Sequence, residues 1–202
     1  MVFSTLHFDG SNPDNVSAVA TLLKAGEPVV FPTDTVYGVG TNAFSSHGID
    51  KLYAAKVRDS DKGIPILLAD IDDLDKVAAD FPPLASELAQ AHWPGALTII
   101  VPKNPNLPEN ISPNDGIAVR IPHHKLCRDL IRAAGGAVAA TSANISGDSP
   151  AQTAEAAREQ LDGRVAAILD GGTVPVGTPS TIVSLMGEEP VIIRQGSIEL
   201  NF

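Results

Sequence analysis

A chain of 202 residues, 44% hydrophobic and 19% charged, has the make-up of a folded protein with one substantial core, which excludes a disordered tail and leaves no length for two ordinary domains. A formal net charge of −10 excludes a protein that grips nucleic acid over its whole surface, because such proteins carry a broad basic face. Cys127 is the single cysteine, so an internal disulfide, a CxxC pair and a multi-cysteine zinc site are excluded, and the absence of any apolar run of about 20 residues or of a leader in Met1 to Gly10 predicts a cytoplasmic protein with no membrane partner.

Asn12 followed by Pro13 reads as a helix start, and the helix is expected to run to Lys24 before Gly26. Pro28 to Phe31 fits a short buried strand entering the polar turn Pro32-Thr33-Asp34-Thr35. Gly38-Val39-Gly40-Thr41-Asn42-Ala43 matches G-x-G-x-x-A, but the next helix begins only at Ser45 or later and Lys56 and Arg58 stand where an acidic residue is expected. Dinucleotide binding is therefore rejected, and the glycines are read as permitting a tight turn at a strand end. A helix capped by Ser45 or Ser46 sets Ile49, Leu52, Tyr53 and Lys56 on one face, with Lys56 and Arg58 at its end where a loop faces a ligand.

Further on, Ile64 to Ala69 reads as a strand, Asp70 to Ala78 and Leu84 to Ala91 as helices, Leu97 to Val101 as a strand, and Pro102 to Pro113 as a loop. Ile117 to Ile121 is expected to be a strand and His124 to Ala133 a helix stopped by Gly135-Gly136. Ala137 to Ala140 then forms a short strand, Thr153 caps a helix to about Leu161, and strands follow at Ala166 to Leu169, Thr181 to Leu185 and Val191 to Arg194. Strands separated by helices predict a layered α/β fold with a mixed sheet, taken as one domain over residues 1–202.

The chemistry-bearing residues are unevenly placed. Lys56, Arg58, Lys62, Arg120, Lys125, Arg128, Arg132 and Arg194 fall into short stretches that, brought together, would give an acidic chain one basic pocket for a small anion. Lys56-x-Arg58-x-x-x-Lys62 is either a solvated charged loop or a phosphate clamp, since Arg forks and Lys point charges both suit phosphate. Arg120 lies inside an apolar strand and needs an anionic partner, either a structural carboxylate or that of a substrate. Ala139 to Gly147 carries small side chains and hydroxyls where a ligand can approach the backbone. There is no Walker P-loop, and the five histidines show no metal spacing, so His123-His124 is read as a strand end.

Taken in order, PTDTVYGVG (Pro32 to Gly40), KVR (Lys56 to Arg58) with Lys62, HWPGALT (His92 to Thr98), IAVRIP (Ile117 to Pro122), TSANISG (Thr141 to Gly147), PST (Pro179 to Thr181) and RQG (Arg194 to Gly196) resemble the YrdC/TsaC family of threonylcarbamoyl-AMP synthases. The resemblance runs from about Pro28 to Gly196. It implies a YrdC-like fold, a twisted mixed parallel and antiparallel sheet flanked by helices with a concave basic cleft. It also implies a nucleotidyltransferase that forms threonylcarbamoyl-AMP and pyrophosphate from L-threonine, bicarbonate and ATP, for the threonylcarbamoyl-adenosine modification of tRNA. By residue-by-residue match, Lys56, Arg58 and Lys62 are the catalytic cations. Thr35, Leu67, Arg120, Ala140 and Ser180 fall on the threonine side, and Arg58, Lys62, Ser142, Asn144, Pro150 and Arg194 on the ATP side.

The implied cofactor is Mg²⁺ carried in with ATP, with no protein-ligated metal, and the implied partners are the three small substrates, a tRNA threonylcarbamoyl transferase that receives the product, and more weakly tRNA itself. Two departures stand out: Asp59 replaces the proline that often follows the KxR arginine, and Leu67 replaces the His of longer relatives, whose second C-terminal domain this length does not accommodate. Both Leu67 and the length point to the short, single-domain type. Two other functions fit the residues, a double-stranded RNA or tRNA binding module and a carbamoyl-adenylate-forming enzyme using carbamoyl phosphate, although domains of the latter kind sit within larger chains.

Overall fold

A computed structural model describes residues 4–57, 62–174 and 177–202. Ten strands form one mixed sheet in the order β1-β8-β2-β3-β7-β4-β6-β5-β9-β10: β1 Leu6–Asp9, β2 Val29–Phe31, β3 Gly38–Asn42, β4 Ile66–Leu68, β5 Leu97–Pro102, β6 Gly116–Arg120, β7 Ala137–Ser142, β8 Ala167–Asp170, β9 Thr181–Ser184 and β10 Val191–Arg194. Among the described residues five α-helices accompany them: α1 Pro13–Lys24, α2 Ser46–Lys56, α3 Pro83–His92, α4 Lys125–Ala134 and α5 Ala154–Leu161.

Local chemistry explains where the helices begin. Asn12, Ser45 and Thr153 each accept a backbone N–H of the first turn of α1, α2 and α5, satisfying donors that have no partner within the helix. His124 does the same for α4, its Nδ1 accepting from the Cys127 N–H at 3.3 Å; it is a helix cap, not a strand end. The stretch expected as a helix from Asp70 is a 3₁₀ helix over Ile71–Lys76, and a short 3₁₀ turn, Glu109–Ile111, interrupts the loop after β5.

The His124 cap exists only on a neutral ring. Burial pushes the His124 pKa below its ordinary value, with the Asp34 charge opposing. A folded pKa below the unfolded one means that the unfolded chain takes up the proton first, so this contribution is complete above about pH 6.5 and is lost as pH falls from there. Thermal stability followed between pH 7 and 5 is expected to decline, and less steeply in His124→Asn, which retains a capping side chain without the titration. Equal slopes in both proteins would remove His124 as the cause.

Strand alternation sorts the core into two layers. Val29 and Phe31 of β2, Val138 and Ala140 of β7, and Ala167 and Leu169 of β8 pack with α1 and α4 through Val19, Leu23, Leu130 and Ile131. Val30, Ala139 and Ile168, on the opposite face, join Ile66 and Leu68 of β4 and Val119 of β6 against α2 and α5. The glycines Gly38 and Gly40 lie within β3, paired to β2 and β7, rather than in the expected turn. A Cβ on Gly40 would stand 2.7 Å from the Ala139 carbonyl oxygen and 2.8 Å from Val138 Cγ1, so glycine here serves close packing between strands. Among the described residues no helix is long and apolar enough to cross a membrane.

Candidate active site

The face of the sheet that carries α1 and α4 is left uncovered over β6, β5 and β9, and a cavity of about 800 Å³ opens there. Its floor follows from the register. Arg120 lies beside Leu67, Ala118 opposite Ile100, Ile100 beside Ser184, and Thr98 beside Ile182, so the side chains that point away from the α2 layer form the floor. The walls come from Thr33 and Thr35 of the turn before β3, from Ala140 to Ser142 of β7, and from the segments around Pro65, Asn114 and Ser180.

Arg120 is held on three sides. Its Nε donates to the Gly95 carbonyl at 2.8 Å, Nη1 to Thr35 Oγ1 at 3.1 Å and Nη2 to Asp34 Oδ1 at 2.5 Å. The side chain is 7% exposed, and the anionic partner that its burial requires is Asp34. Burial draws the Arg120 pKa down, with Asp34 opposing. Thr33 fixes the turn, its hydroxyl accepting from the N–H groups of Thr35 and Val36 and donating to the Val36 carbonyl. Tyr37 anchors the far side of the turn by donating to the Gly172 carbonyl at 2.7 Å, and its phenol, chiefly through burial, is pushed up to about 12.

Across the floor, Arg194 donates from Nε and Nη2 to the Ser180 carbonyl at 3.0 and 2.8 Å, and from Nη2 to the Ser180 hydroxyl at 3.2 Å. Ser180 Oγ lies 2.7 Å from Thr98 Oγ1 in a buried hydroxyl pair. Among the described residues Arg194 makes no ion pair. Burial lowers its pKa, and the Arg120 charge lowers it further, which is the electrostatic mark of a site that gains from an incoming anion.

Of the residues named from sequence, Thr35, Leu67, Arg120, Ala140, Ser142, Ser180 and Arg194 line this one cavity. Arg58 and Asp59 lie outside the described residues. Lys62 is exposed and not in the wall; its carbonyl accepts from the Tyr53 hydroxyl at 3.1 Å. Pro150 is half-buried and also outside the wall. Lys56 does not sit on a ligand-facing loop: it is 1% exposed, with Nζ donating to the Ser142 and Asn144 carbonyls at 2.5 and 2.6 Å. Asn144 is equally internal, its Nδ2 donating to the Ile145 and Asp148 carbonyls. This pair lies behind Ser142, because α2 buries the face that Lys56 shares with Ile49 and Leu52.

The cations of α4 are not gathered into the cavity. Arg128 and Arg132 reach Asp70, while Lys125 and Arg132 reach Asp129; among the described residues the charged side chains in the cavity wall are Arg120, Arg194 and Asp115. Reading the sequence missed Asp34, Thr98 and the Gly95 carbonyl as site-building groups. Their signal was present only as the strings PTDT and PGALT, which do not say what each residue touches.

Known proteins place this arrangement. A threonylcarbamoyl-AMP synthase of Bacillus subtilis is 40% identical over 190 residues, covering 93% of this chain and 55% of its own length. One of Vibrio campbellii is 34% identical, covering 90% of this chain and 99% of its own. The crystal structure of P. abyssi Sua5 complexed with L-threonine superposes with a TM-score of 0.91 at 34% identity, over 95% of this chain and 57% of that one. The chain thus spans little more than half the length of the B. subtilis and P. abyssi proteins. The model of the Sua5/YciO/YrdC family, described as telomere recombination, matches residues 21–196, and the chain belongs to that family.

Proposed function

We propose that this chain is an L-threonylcarbamoyladenylate synthase, a nucleotidyltransferase acting in the cytoplasm on L-threonine, bicarbonate and ATP. The observation that carries the reading is the pair of fixed guanidiniums facing one cavity, Arg120 held by Asp34, Thr35 and Gly95, and Arg194 held by Ser180. The names of the relatives agree with it, and the P. abyssi relative was solved with L-threonine.

In this reading the carboxylate of threonine meets Arg120, and Thr35 and Ser180 hold its hydroxyl and amino groups. The threonine amine adds carbon dioxide released from bicarbonate and gives up a proton, so that a carbamate and water result. A carbamate oxygen then attacks the α-phosphorus, the P–O bond to the leaving pyrophosphate breaks, and threonylcarbamoyl-AMP remains. The Mg²⁺ salt of ATP is the substrate. No residue becomes covalently attached, so the chain's work is positioning and stabilisation of phosphoryl charge. Arg194 and the backbone of Ser142 serve the phosphates, and the resemblance adds Arg58 and Lys62 as further phosphate cations. The acting unit is the one domain built on the single sheet, and its product passes to a transferase that modifies tRNA.

Purified protein given Mg²⁺, ATP, bicarbonate and L-threonine is expected to release pyrophosphate only when threonine and bicarbonate are both present, with the adenylate visible by mass. Arg194→Ala is expected to lower turnover at least about 100-fold, the scale of a lost charge contact to the transferring phosphoryl group. A folded wild-type protein without product would turn the assignment toward RNA binding or another carbamoyl donor.

A further inference from the structure

The two guanidiniums of the cavity are not electrically alike. Arg120 makes an ion pair with Asp34 at 2.5 Å, and the side chains are 7% and 13% exposed. The acceptors of Arg194 are neutral, the carbonyl and hydroxyl of Ser180. Asp34 is not in the cavity wall although its neighbours Thr33 and Thr35 are, so it meets Arg120 from behind.

A contacting opposite charge cancels most of the field of a guanidinium a few ångströms away but leaves its remaining N–H groups as donors. Three hydrogen bonds occupy Arg120 on the protein side, and a guanidinium has five N–H donors. The Arg120 end therefore offers directed hydrogen bonds with a reduced net charge, part of which still reaches Arg194, and the Arg194 end offers a full charge. A zwitterionic amino acid suits the first, because its ammonium would be repelled by a bare guanidinium beside its carboxylate. A polyphosphate, whose binding grows with net positive charge, suits the second.

We infer that Asp34 is the specificity-determining residue of this cavity: by cancelling the charge of Arg120 it reserves that end for a zwitterionic amino acid and leaves polyphosphate to the Arg194 end. The inference rests on the substrates proposed above. Asp34 touches no substrate in this scheme; it acts through Arg120.

Calorimetric titration with pyrophosphate, and separately with L-threonine, tests it on wild type, Asp34→Asn and the double variant Asp34→Asn with Arg120→Gln, each verified as folded by thermal unfolding. Asparagine still offers Arg120 an acceptor but no charge. Asp34→Asn is expected to bind one more pyrophosphate per chain than wild type, to let pyrophosphate displace threonine, and to bind threonine about tenfold more weakly, the scale of 1.4 kcal/mol. An unchanged pyrophosphate stoichiometry without competition in Asp34→Asn overturns the inference.

Should Asp34→Asn not fold, the double variant decides, since it buries no charge at this end. Pyrophosphate affinity within about twofold of wild type supports the cancellation, and an affinity lower by about tenfold shows Arg120 lending its charge to phosphate in spite of Asp34, which overturns it. Wild-type protein that fails to bind threonine would sink the proposed substrate, while the pyrophosphate comparison would still decide on Asp34.

Discussion

Lys56→Met is expected to remove about 3 kcal/mol of folding stability, measured as a shift of the urea midpoint at constant slope. Methionine fills nearly the volume of the lysine stem, so the variant isolates the ammonium. In the native protein Nζ donates to the carbonyls of Ser142 and Asn144 at 2.5 and 2.6 Å, and the side chain is 1% exposed. Two effects oppose each other. Burying an ammonium costs several kcal/mol, and methionine is spared that cost. Against it stand two internal carbonyls fixed by the backbone of the loop after β7, each worth about 1–3 kcal/mol when left without a donor, and the charge-assisted bonds themselves.

The second effect wins because the carbonyls cannot turn to solvent without unmaking the loop, which the Ser146 N–H to Lys56 carbonyl bond ties back to α2 at 3.0 Å. An unchanged midpoint would show that the carbonyls find other donors. Pyrophosphate affinity of the folded variant then separates a lysine that holds Ser142 in place from one that contacts phosphate.

Gly196→Ala is expected to lower threonine-dependent pyrophosphate release by about 100-fold, the scale of a misplacement near 1 Å, while stability falls by only about 1–3 kcal/mol. A Cβ at this position would overlap the Pro179 carbonyl oxygen, the Thr181 nitrogen and the Ser180 carbonyl carbon. All three are backbone atoms, which no rotamer change removes. The segment that must retreat carries the Ser180 hydroxyl of the cavity and the carbonyl that Arg194 grips. It lies at the β9–β10 end of the sheet, so the displacement reaches the floor of the site before it reaches the core. Wild-type turnover in this variant would show that the connection yields without moving Ser180.

Features set by neighbours in sequence were legible from the chain alone. The caps at Asn12, Ser45 and Thr153 act within three residues, and α1, α2 and α5 start where they predict. Strand β1 was not legible, because an edge strand with exposed Leu6 and His7 carries no apolar run. Strand β3 was not legible either, since its glycines imitate a turn. The sequence leaves the Arg120 partner open between a protein carboxylate and a substrate, and the answer on the protein side, Asp34, lies 86 residues away in the chain. The Lys56 position is half legible: the helical spacing puts it on the face of Ile49 and Leu52, and that face is the buried one. The cations of α4 show the converse, since local clustering says nothing about Asp70, which lies 58 residues from Arg128 and takes up its charge.

Strand β10 ends the sheet with Val191, Ile192 and Ile193 all exposed, and Met186 stands exposed nearby. A short open edge of branched apolar residues is a template for a strand of another copy. At neutral pH each copy carries a net charge of −10, and like charge of that size keeps the edges apart. Net repulsion between copies therefore guards the edge together with the register shift at Ile192–Arg194, and that repulsion is thinnest near the pI of about 4.8, where it vanishes.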